Sequence, residues 1–231
     1  MVNDATKNSS GVTLPPVLVD DFATLASDVI LKCCSALIDA EPELTRMDTI
    51  VGDGDCGITM MRGAKEISQR LESGKLRVDH PSTLFSDVAD AVSASMGGTS
   101  GVLLELMFRK ASTTCTSTFG EGITPKELSQ AFQAGTEAIS LYGGAREGSR
   151  TMLDALFPAA YALVGVDGSH ADMAGAALAA RRGADDTASM GHAEAGRSNY
   201  LNEDSLIGTP DPGAVAVAIV LESMASVVPG A

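Results

Sequence analysis

Apolar residues recur at spacings of three and four along most of this chain, and this periodicity restricts the fold more than any other feature. Such spacing places apolar side chains on one face of an α-helix. No segment gives a convincing strand, so we expect an all-α protein. The first stripe is formed by Phe22, Leu25, Val29, Ile30, Cys33 and Leu37.

The same pattern, together with its glycines, prolines and capping residues, predicts about eight helices in one domain over residues 17–231. The polar residues 1–16 are expected to form a flexible arm. Thr124-Pro125-Lys126-Glu127 is a capping box, and Asp211-Pro212 combines an N-cap with a proline at the first helical position. Pro158 should kink or break its helix. The helices are expected at about 17–42, 58–71, 84–96, 102–111, 125–141, 149–166, 170–190 and 212–227.

Composition restricts the partners. The chain has 30 acidic and 16 basic residues among 231, so its net charge is −14 and a nucleic acid backbone would be repelled. No run of 18 apolar residues and no apolar leader occurs, which predicts a cytoplasmic protein without a membrane partner. Only 4% of residues are aromatic. Small aliphatic side chains must therefore fill the core.

Residues 48–57, DTIVGDGDCG, carry the strongest chemical signal. Asp48, Asp53 and Asp55 lie among three glycines, so we expect an irregular loop. At ~4 Å, two such carboxylates repel by roughly 1 kcal/mol in water and about 4 kcal/mol at an effective dielectric of 20. A divalent cation such as Mg²⁺ removes this repulsion. An acidic surface turn is the alternative. An EF-hand is excluded because Gly57 and Ala64 would fall at ligand positions.

Two weaker signals suit phosphate. The glycines and hydroxyls of MGGTSG (96–101) precede a helix, where backbone N–H groups bind anions. No lysine follows, so this is not a P-loop. Arg197 and the Asp211-Pro212-Gly213 turn form the other signal. By themselves they are better explained by a solvated arginine and an ordinary helix cap.

Taken together, the motifs resemble the nucleotide-binding L domain of dihydroxyacetone kinases. Their order and spacing agree over about residues 20–228. The resemblance is carried by GDGDCG (52–57), GGTSG (97–101), GGAREGSRTMLDAL (143–156), GRSNYL (196–201) and DPGA (211–214).

This resemblance implies a barrel of eight antiparallel helices with a nucleotide at one end. Asp48, Asp53 and Asp55 would hold two Mg²⁺ ions that bridge the phosphates of ATP or ADP. The residues implied to line the nucleotide site are Cys56, Gly57, Gly98, Thr99, Ser100, Gly143, Met152, Arg197, Asp211, Pro212 and Gly213.

The resemblance also implies phosphoryl transfer to a short ketose held by a separate K-type subunit or domain. No general base is evident in this sequence. A homodimer is also compatible with the sequence. In phosphotransferase-dependent L subunits, which retain ADP, a histidine commonly follows the third aspartate. This chain has Cys56 there, which is more similar to ATP-dependent kinases. A non-catalytic module that binds nucleotide or lipid is the remaining alternative.

Overall fold

The computed structural model describes residues 19–115, 124–164 and 173–228. Within these ranges it contains ten α-helices, two short 3₁₀ segments (Thr187–Ser189 and Arg197–Tyr200) and no strand, so the all-α prediction is confirmed. The helices are α1 (Val19–Asp39), α2 (Glu41–Val51), α3 (Cys56–Glu72), α4 (Pro81–Ser95), α5 (Gly98–Thr114), α6 (Pro125–Gly143), α7 (Leu153–Val164), α8 (Met173–Asp186), α9 (Glu203–Leu206) and α10 (Pro212–Ala225).

Eight of these helices form a closed ring. Each packs against the next in the order α1, α3, α4, α5, α6, α7, α8 and α10, and α10 returns to pack against α1. This is the expected barrel. The other two helices lie outside the ring, where α2 contacts α3 and α10, and the one-turn α9 contacts α2.

Consecutive ring helices run antiparallel, so their connections alternate between the two ends of the barrel. One end therefore collects four segments, residues 40–55, 96–97, 144–152 and 187–211, and we call it the aspartate end. Every residue predicted to bind metal or nucleotide lies in one of these segments or in an adjoining helical turn. The topology thus gathers motifs that are up to 165 residues apart in the sequence, from Asp48 to Gly213.

Small residues let the helices approach closely. On α8, a Cβ at Gly183 would overlap the Asp154 carbonyl oxygen of α7, and on α6, a Cβ at Gly135 would lie 2.9 Å from the Met107 carbonyl oxygen of α5. All four buried residues of α8 are alanines, and alanine and leucine share the buried surface of α7. The low aromatic content is therefore compatible with a dense core, because the helices come close enough for small side chains to fill it.

The first part of the chain differs from the sequence prediction. The helix expected over 17–42 ends at Asp39, and a separate helix, α2, begins at Glu41 with Pro42 in its first turn. Proline is favoured there because the first N–H groups of a helix have no helical acceptor. The prediction that the whole 48–57 stretch is irregular was wrong. Asp48 lies on α2, Cys56 begins α3, and only residues 52–55 form the loop.

Three later predictions also need correction. The helix expected from Ser149 begins at Leu153, because residues 149–152 form a turn in which Arg150 has a φ of 59°. Pro158 lies inside α7 without ending it, and the Asp154 carbonyl that loses its helical donor faces Gly183 instead. The expected polar loop before Asp211 contains the second 3₁₀ segment and α9.

Some predictions fall on other parts of the chain. The arm at 1–16 and the beginning of the helix expected over 170–190 lie outside the described residues. None of the helices in the described ranges is long and apolar enough to cross a membrane.

Candidate functional site

The three predicted aspartates come together at the aspartate end. One carboxylate oxygen from each of Asp48, Asp53 and Asp55 lies within 4.8 Å of the others. Asp48 is buried in the last turn of α2, whereas Asp53 and Asp55 are exposed in the loop that follows. A rigid helix thus supplies one carboxylate and a short loop supplies the other two.

Backbone hydrogen bonds fix this arrangement. Asp48 Oδ2 accepts from the N–H groups of Asp55 (2.8 Å) and Cys56 (2.9 Å), which folds the loop back onto α2. A Cβ at Gly52 would overlap Asp48 Oδ1, and Gly54 has a φ of 82°. Both positions therefore require glycine, which explains why glycines separate the aspartates.

The cluster is electrostatically strained. Burial raises the pKa of Asp55, and the charges of Asp53 and Asp48 raise it further, while Arg197 and Arg62 oppose the shift. Arg197 Nε lies 3.0 Å from Asp53 Oδ2, so one cation is already paired with one member of the cluster. Because the donors are all carboxylate oxygens, the group suits a hard divalent cation such as Mg²⁺.

The start of α3 lies beside this cluster. Burial raises the pKa of the Cys56 thiol, and the charges of Asp211 and Asp48 add to the effect. Cys56 is therefore a neutral thiol next to acidic groups, and it is not activated as a nucleophile. A Cβ at Gly57 would overlap the Glu41 carbonyl, so this glycine allows α3 to pack closely against α2.

The glycine turn forms the beginning of α5. Gly98, with a φ of 71°, is its first residue, and Gly97 precedes it without a side-chain cap. Gly98 and Thr99 are exposed and Ser100 is half-buried. The first N–H groups of α5 have no helical acceptor, which is the arrangement that suits an anion.

The remaining predicted residues lie around the same end. A Cβ added at Gly213 would be 3.6 Å from Met152 Cβ, so Met152 lies against the Asp211–Gly213 turn. Asp211 caps α10 by accepting from the Ala214 N–H at 2.8 Å. Gly143, at the end of α6, packs against Leu103 of α5. Pro212 is the buried first residue of α10.

Burial raises the pKa of Asp211 to about 6, against the opposing effects of the Ala214 N–H and Arg150, with Asp154 and Asp48 raising it further. The backbone N–H of Asp211 also donates to Thr187 Oγ1 at 2.7 Å. Asp211 is thus a cap whose charge is disfavoured by its surroundings.

Sequence reasoning missed two arginines. Arg150 is fully buried and donates to Ser198 Oγ (3.2 Å), the Leu206 carbonyl (3.3 Å) and the Thr209 carbonyl (2.6 Å). Ser198 Oγ in turn donates to the Val51 carbonyl at 2.6 Å, just before the aspartate loop. Arg150 lies within the 143–156 motif, but nothing in that motif signals a buried guanidinium at positive φ.

The second is Arg62, an exposed residue on α3. Its Nη2 donates to Thr59 Oγ1 at 3.3 Å and lies 3.9 Å from the point where a Gly97 Cβ would be. It follows Asp55 by seven residues, which is two helical turns. That spacing was the only sequence signal that could have found it.

The eight helices form a closed ring, and one end of it carries the three-carboxylate cluster and the uncapped glycine turn. The protein is thus an all-α barrel with a candidate metal site at one end. The family model of the DAK2 domain matches residues 50–226, and the chain belongs to this family.

Curated proteins with similar sequences include several kinases. Dihydroxyacetone kinase of Citrobacter freundii is 35% identical over 202 residues, covering 87% of this chain and 35% of the relative. Human triokinase/FMN cyclase is 35% identical over 203 residues, covering 86% and 34%. The chain therefore spans about a third of the length of these curated relatives.

Solved structures of a dihydroxyacetone kinase share the fold of this chain. The native dihydroxyacetone kinase of C. freundii matches with a TM-score of 0.73 and 30% identity, over 98% of this chain and 38% of that one. The same kinase in complex with AMP-PNP and Mg²⁺ matches with a TM-score of 0.69 and 29% identity, over 98% and 37%. The fold of this chain is thus that of the DAK2 part of a kinase.

Proposed function

We propose that this chain is the nucleotide-binding part of a dihydroxyacetone-type kinase and binds Mg-ATP or Mg-ADP for phosphoryl transfer to a short ketose. The observation that carries the proposal is the convergence of three aspartate carboxylates within 4.8 Å at one end of a DAK2 barrel. The relatives named as kinases support the reaction class, and the C. freundii complex with AMP-PNP and Mg²⁺ supports the ligands.

In this proposal Asp48, Asp53 and Asp55 hold Mg²⁺, with two ions as the expected number. Bound Mg²⁺ would neutralise phosphate charge and orient the phosphates. The two N–H groups that bond Asp48 Oδ2 keep this carboxylate in place before any ligand arrives. Preorganisation of this kind reduces the cost of binding.

The nucleotide itself would lie across the aspartate end. The backbone N–H groups of Gly98, Thr99 and Ser100 would bind phosphate, with Arg197 as a second phosphate ligand. The other predicted residues would contact the nucleoside, and their shared location at the aspartate end supports this role. They are Cys56, Gly57, Gly143, Met152, Asp211, Pro212 and Gly213.

A K-type subunit or domain would supply the ketose and the groups that act on it. The chain spans about a third of the length of its curated relatives, which leaves room in them for such a part. Ten large apolar residues are exposed among those that the structure describes, and seven of them lie at the aspartate end. These seven are Ile50, Ile58, Val102, Leu141, Tyr142, Tyr200 and Ile207. Exposed apolar surface beside a site favours a docked protein.

A cytoplasmic location fits the proposed role in phosphorylating a short ketose.

Calorimetry tests the central proposal. The wild-type chain should bind ATP in the presence of Mg²⁺ and lose this binding in EDTA, and Asp53→Asn together with Asp55→Asn should weaken it at least tenfold. Asp28→Asn, an exposed position on α1, is the control and should bind as the wild type does. Binding that ignores Mg²⁺, or that survives the double substitution, would overturn the proposal.

Mass spectrometry of the freshly purified, gently denatured protein separates the two phosphate donors. An empty site supports exchangeable ATP, whereas tightly retained ADP supports recharging by a phosphoprotein. A nucleotide-bound chain that transfers no phosphate to dihydroxyacetone with any added K-type subunit would instead indicate a non-catalytic module.

A further inference from the structure

Arg62 differs from the other arginines of the described ranges in how its charge is satisfied. Of the other nine, seven form ion pairs with carboxylates, and they are Arg46, Arg70, Arg77, Arg109, Arg146, Arg181 and Arg197. Arg150 is surrounded by carbonyl and hydroxyl acceptors, and Arg182 is exposed on α8. Arg62 lies near the aspartate end of the barrel and has no carboxylate within ion-pair distance among the described residues.

The backbone directs Arg62 towards the glycine turn. Asp55, Thr59 and Arg62 share one face at the start of α3, because residues four and seven positions apart align on a helix. The Thr59 hydroxyl accepts from Nη2 at 3.3 Å and holds the guanidinium back along this face. Gly97 has no side chain, and the Arg62 guanidinium reaches within 3.9 Å of the space that a Cβ would occupy there.

Three kinds of group therefore meet between α3 and α5. The Arg62 guanidinium lies next to the turn that begins α5 with uncapped N–H groups, and its charge acts on Asp55 of the aspartate cluster. A guanidinium presents five N–H donors in a planar fork that matches phosphate oxygens, and Arg62 uses one donor in the described structure. A ligand that carries anionic oxygens together with a divalent cation satisfies all three groups.

We propose that Arg62 is a phosphate-binding residue that contacts the phosphates of the nucleotide beyond the α-phosphate. This inference rests on the proposed function, since it assigns a role within the same nucleotide site. Arg197 already pairs its charge with Asp53, whereas Arg62 has no carboxylate partner among the described residues, so Arg62 adds an unpaired cation for the phosphates alongside Arg197.

Binding of a phosphate series tests the assignment. For Arg62→Gln, affinity for Mg-ATP should fall at least tenfold while affinity for AMP, measured by competition, stays within twofold of the wild type. Arg62→Lys keeps the charge but loses the planar fork of donors, so its affinity for Mg-ATP should lie between those of the wild type and Arg62→Gln. Arg70→Gln, eight residues further along α3 and paired with Glu66, is the matched control and should bind ATP normally. An unchanged ATP affinity, or an equal loss for AMP, would overturn the inference.

Metal binding without nucleotide separates a contact to phosphate from damage to the aspartate loop. Arg62 repels a cation at the nearby aspartates, so Arg62→Gln should leave Mn²⁺ affinity unchanged or increase it, as measured by electron paramagnetic resonance. A parallel loss of Mn²⁺ and ATP would instead show that Arg62 only supports the loop. If the wild-type chain binds no Mg-ATP, the proposed function fails. If the wild type binds and Arg62→Gln binds equally well, only the role of Arg62 fails.

Discussion

At the scale of single residues, Arg150 shows how one buried side chain organises the aspartate end. It joins the turn before α7 to Ser198, Leu206 and Thr209, and Ser198 continues the connection to Val51. Burial lowers the pKa of this guanidinium, with Asp211 and Asp154 opposing the shift. Without the guanidinium, the buried Ser198 hydroxyl and the half-buried Thr209 carbonyl would lose this donor, and the buried Leu206 carbonyl would keep only a long bond from the Thr209 N–H (3.4 Å).

We therefore expect Arg150→Met to lower the free energy of unfolding by about 3 kcal/mol, because buried acceptors are left unsatisfied. Urea unfolding followed by far-ultraviolet circular dichroism measures this loss. Arg182→Met, which changes an exposed arginine on α8, should cost less than about 0.5 kcal/mol. Similar losses for both variants would show that the Arg150 contacts contribute little.

The raised pKa of Asp211 predicts that the free energy of unfolding depends on pH. Its folded pKa of about 6 lies above the ordinary value of 3.8, so between these values the folded state binds the proton more tightly than the unfolded chain does. The contribution of Asp211 to the free energy of unfolding therefore falls as pH rises from about 4 to about 6.

Asp211→Asn keeps an N-cap for α10 and removes this titration. Without metal or nucleotide, the stability of the variant relative to the wild type should increase from about pH 4 to about pH 6 and level off above pH 7. The total change should be at most about 3 kcal/mol. Urea titrations at each pH measure it, and a difference that does not vary with pH would contradict the expectation.

At the scale of helices, the contact between α7 and α8 depends on a glycine and a proline together. Pro158 removes the helical donor from the Asp154 carbonyl, and Gly183 of α8 lies against that carbonyl and against the proline ring. The two helices can pack this closely only because position 183 lacks a side chain. The helix α7 thus continues past Pro158, with the Asp154 carbonyl facing α8.

Gly183→Ala should consequently lower the free energy of unfolding by at least about 1 kcal/mol more than Gly63→Ala does. Both glycines are helical, so both substitutions gain the same helix propensity of about 1 kcal/mol. At Gly63 the new methyl group meets the flexible side chain of Met96, which can move, whereas at Gly183 it meets backbone. Urea unfolding of the two variants compares them directly, and equal losses would argue against a rigid contact.

At the scale of the whole molecule, the barrel is closed by the contact between its first and last helices. The α1 helix packs against both α3 and α10, so the ring opens if α1 is lost. The faces of α3 and α10 that α1 covers would then be exposed to water. Closure of the ring is therefore a property of the complete set of eight helices.

Truncations test this closure. Removal of residues 1–16, which we predict to be a flexible arm, should leave the urea midpoint unchanged. Removal of residues 1–39, which takes away α1, should abolish the cooperative transition, because the core loses one side of the ring. A cooperative transition after the second truncation would show that the remaining helices fold without closure.

The sequence determined much of this protein locally. Apolar periodicity predicted the eight ring helices, because an amphipathic helix must bury one face. Caps such as Thr124 and Asp211 were readable for the same local reason, as each accepts from an N–H three residues ahead. The spacing of Asp48, Asp53 and Asp55 among glycines identified the cluster, because neighbouring carboxylates repel unless a cation joins them.

Only the tertiary structure decided the rest. The sequence could not show that Pro158 remains inside α7 or that Arg150 lies buried at positive φ, since each depends on a partner far along the chain. The same holds for Arg62, whose position beside Gly97 comes from the packing of α3 near the start of α5. Local pattern sets which segments are helical, but long-range contacts decide which side chains meet, because those contacts form only when the ring closes.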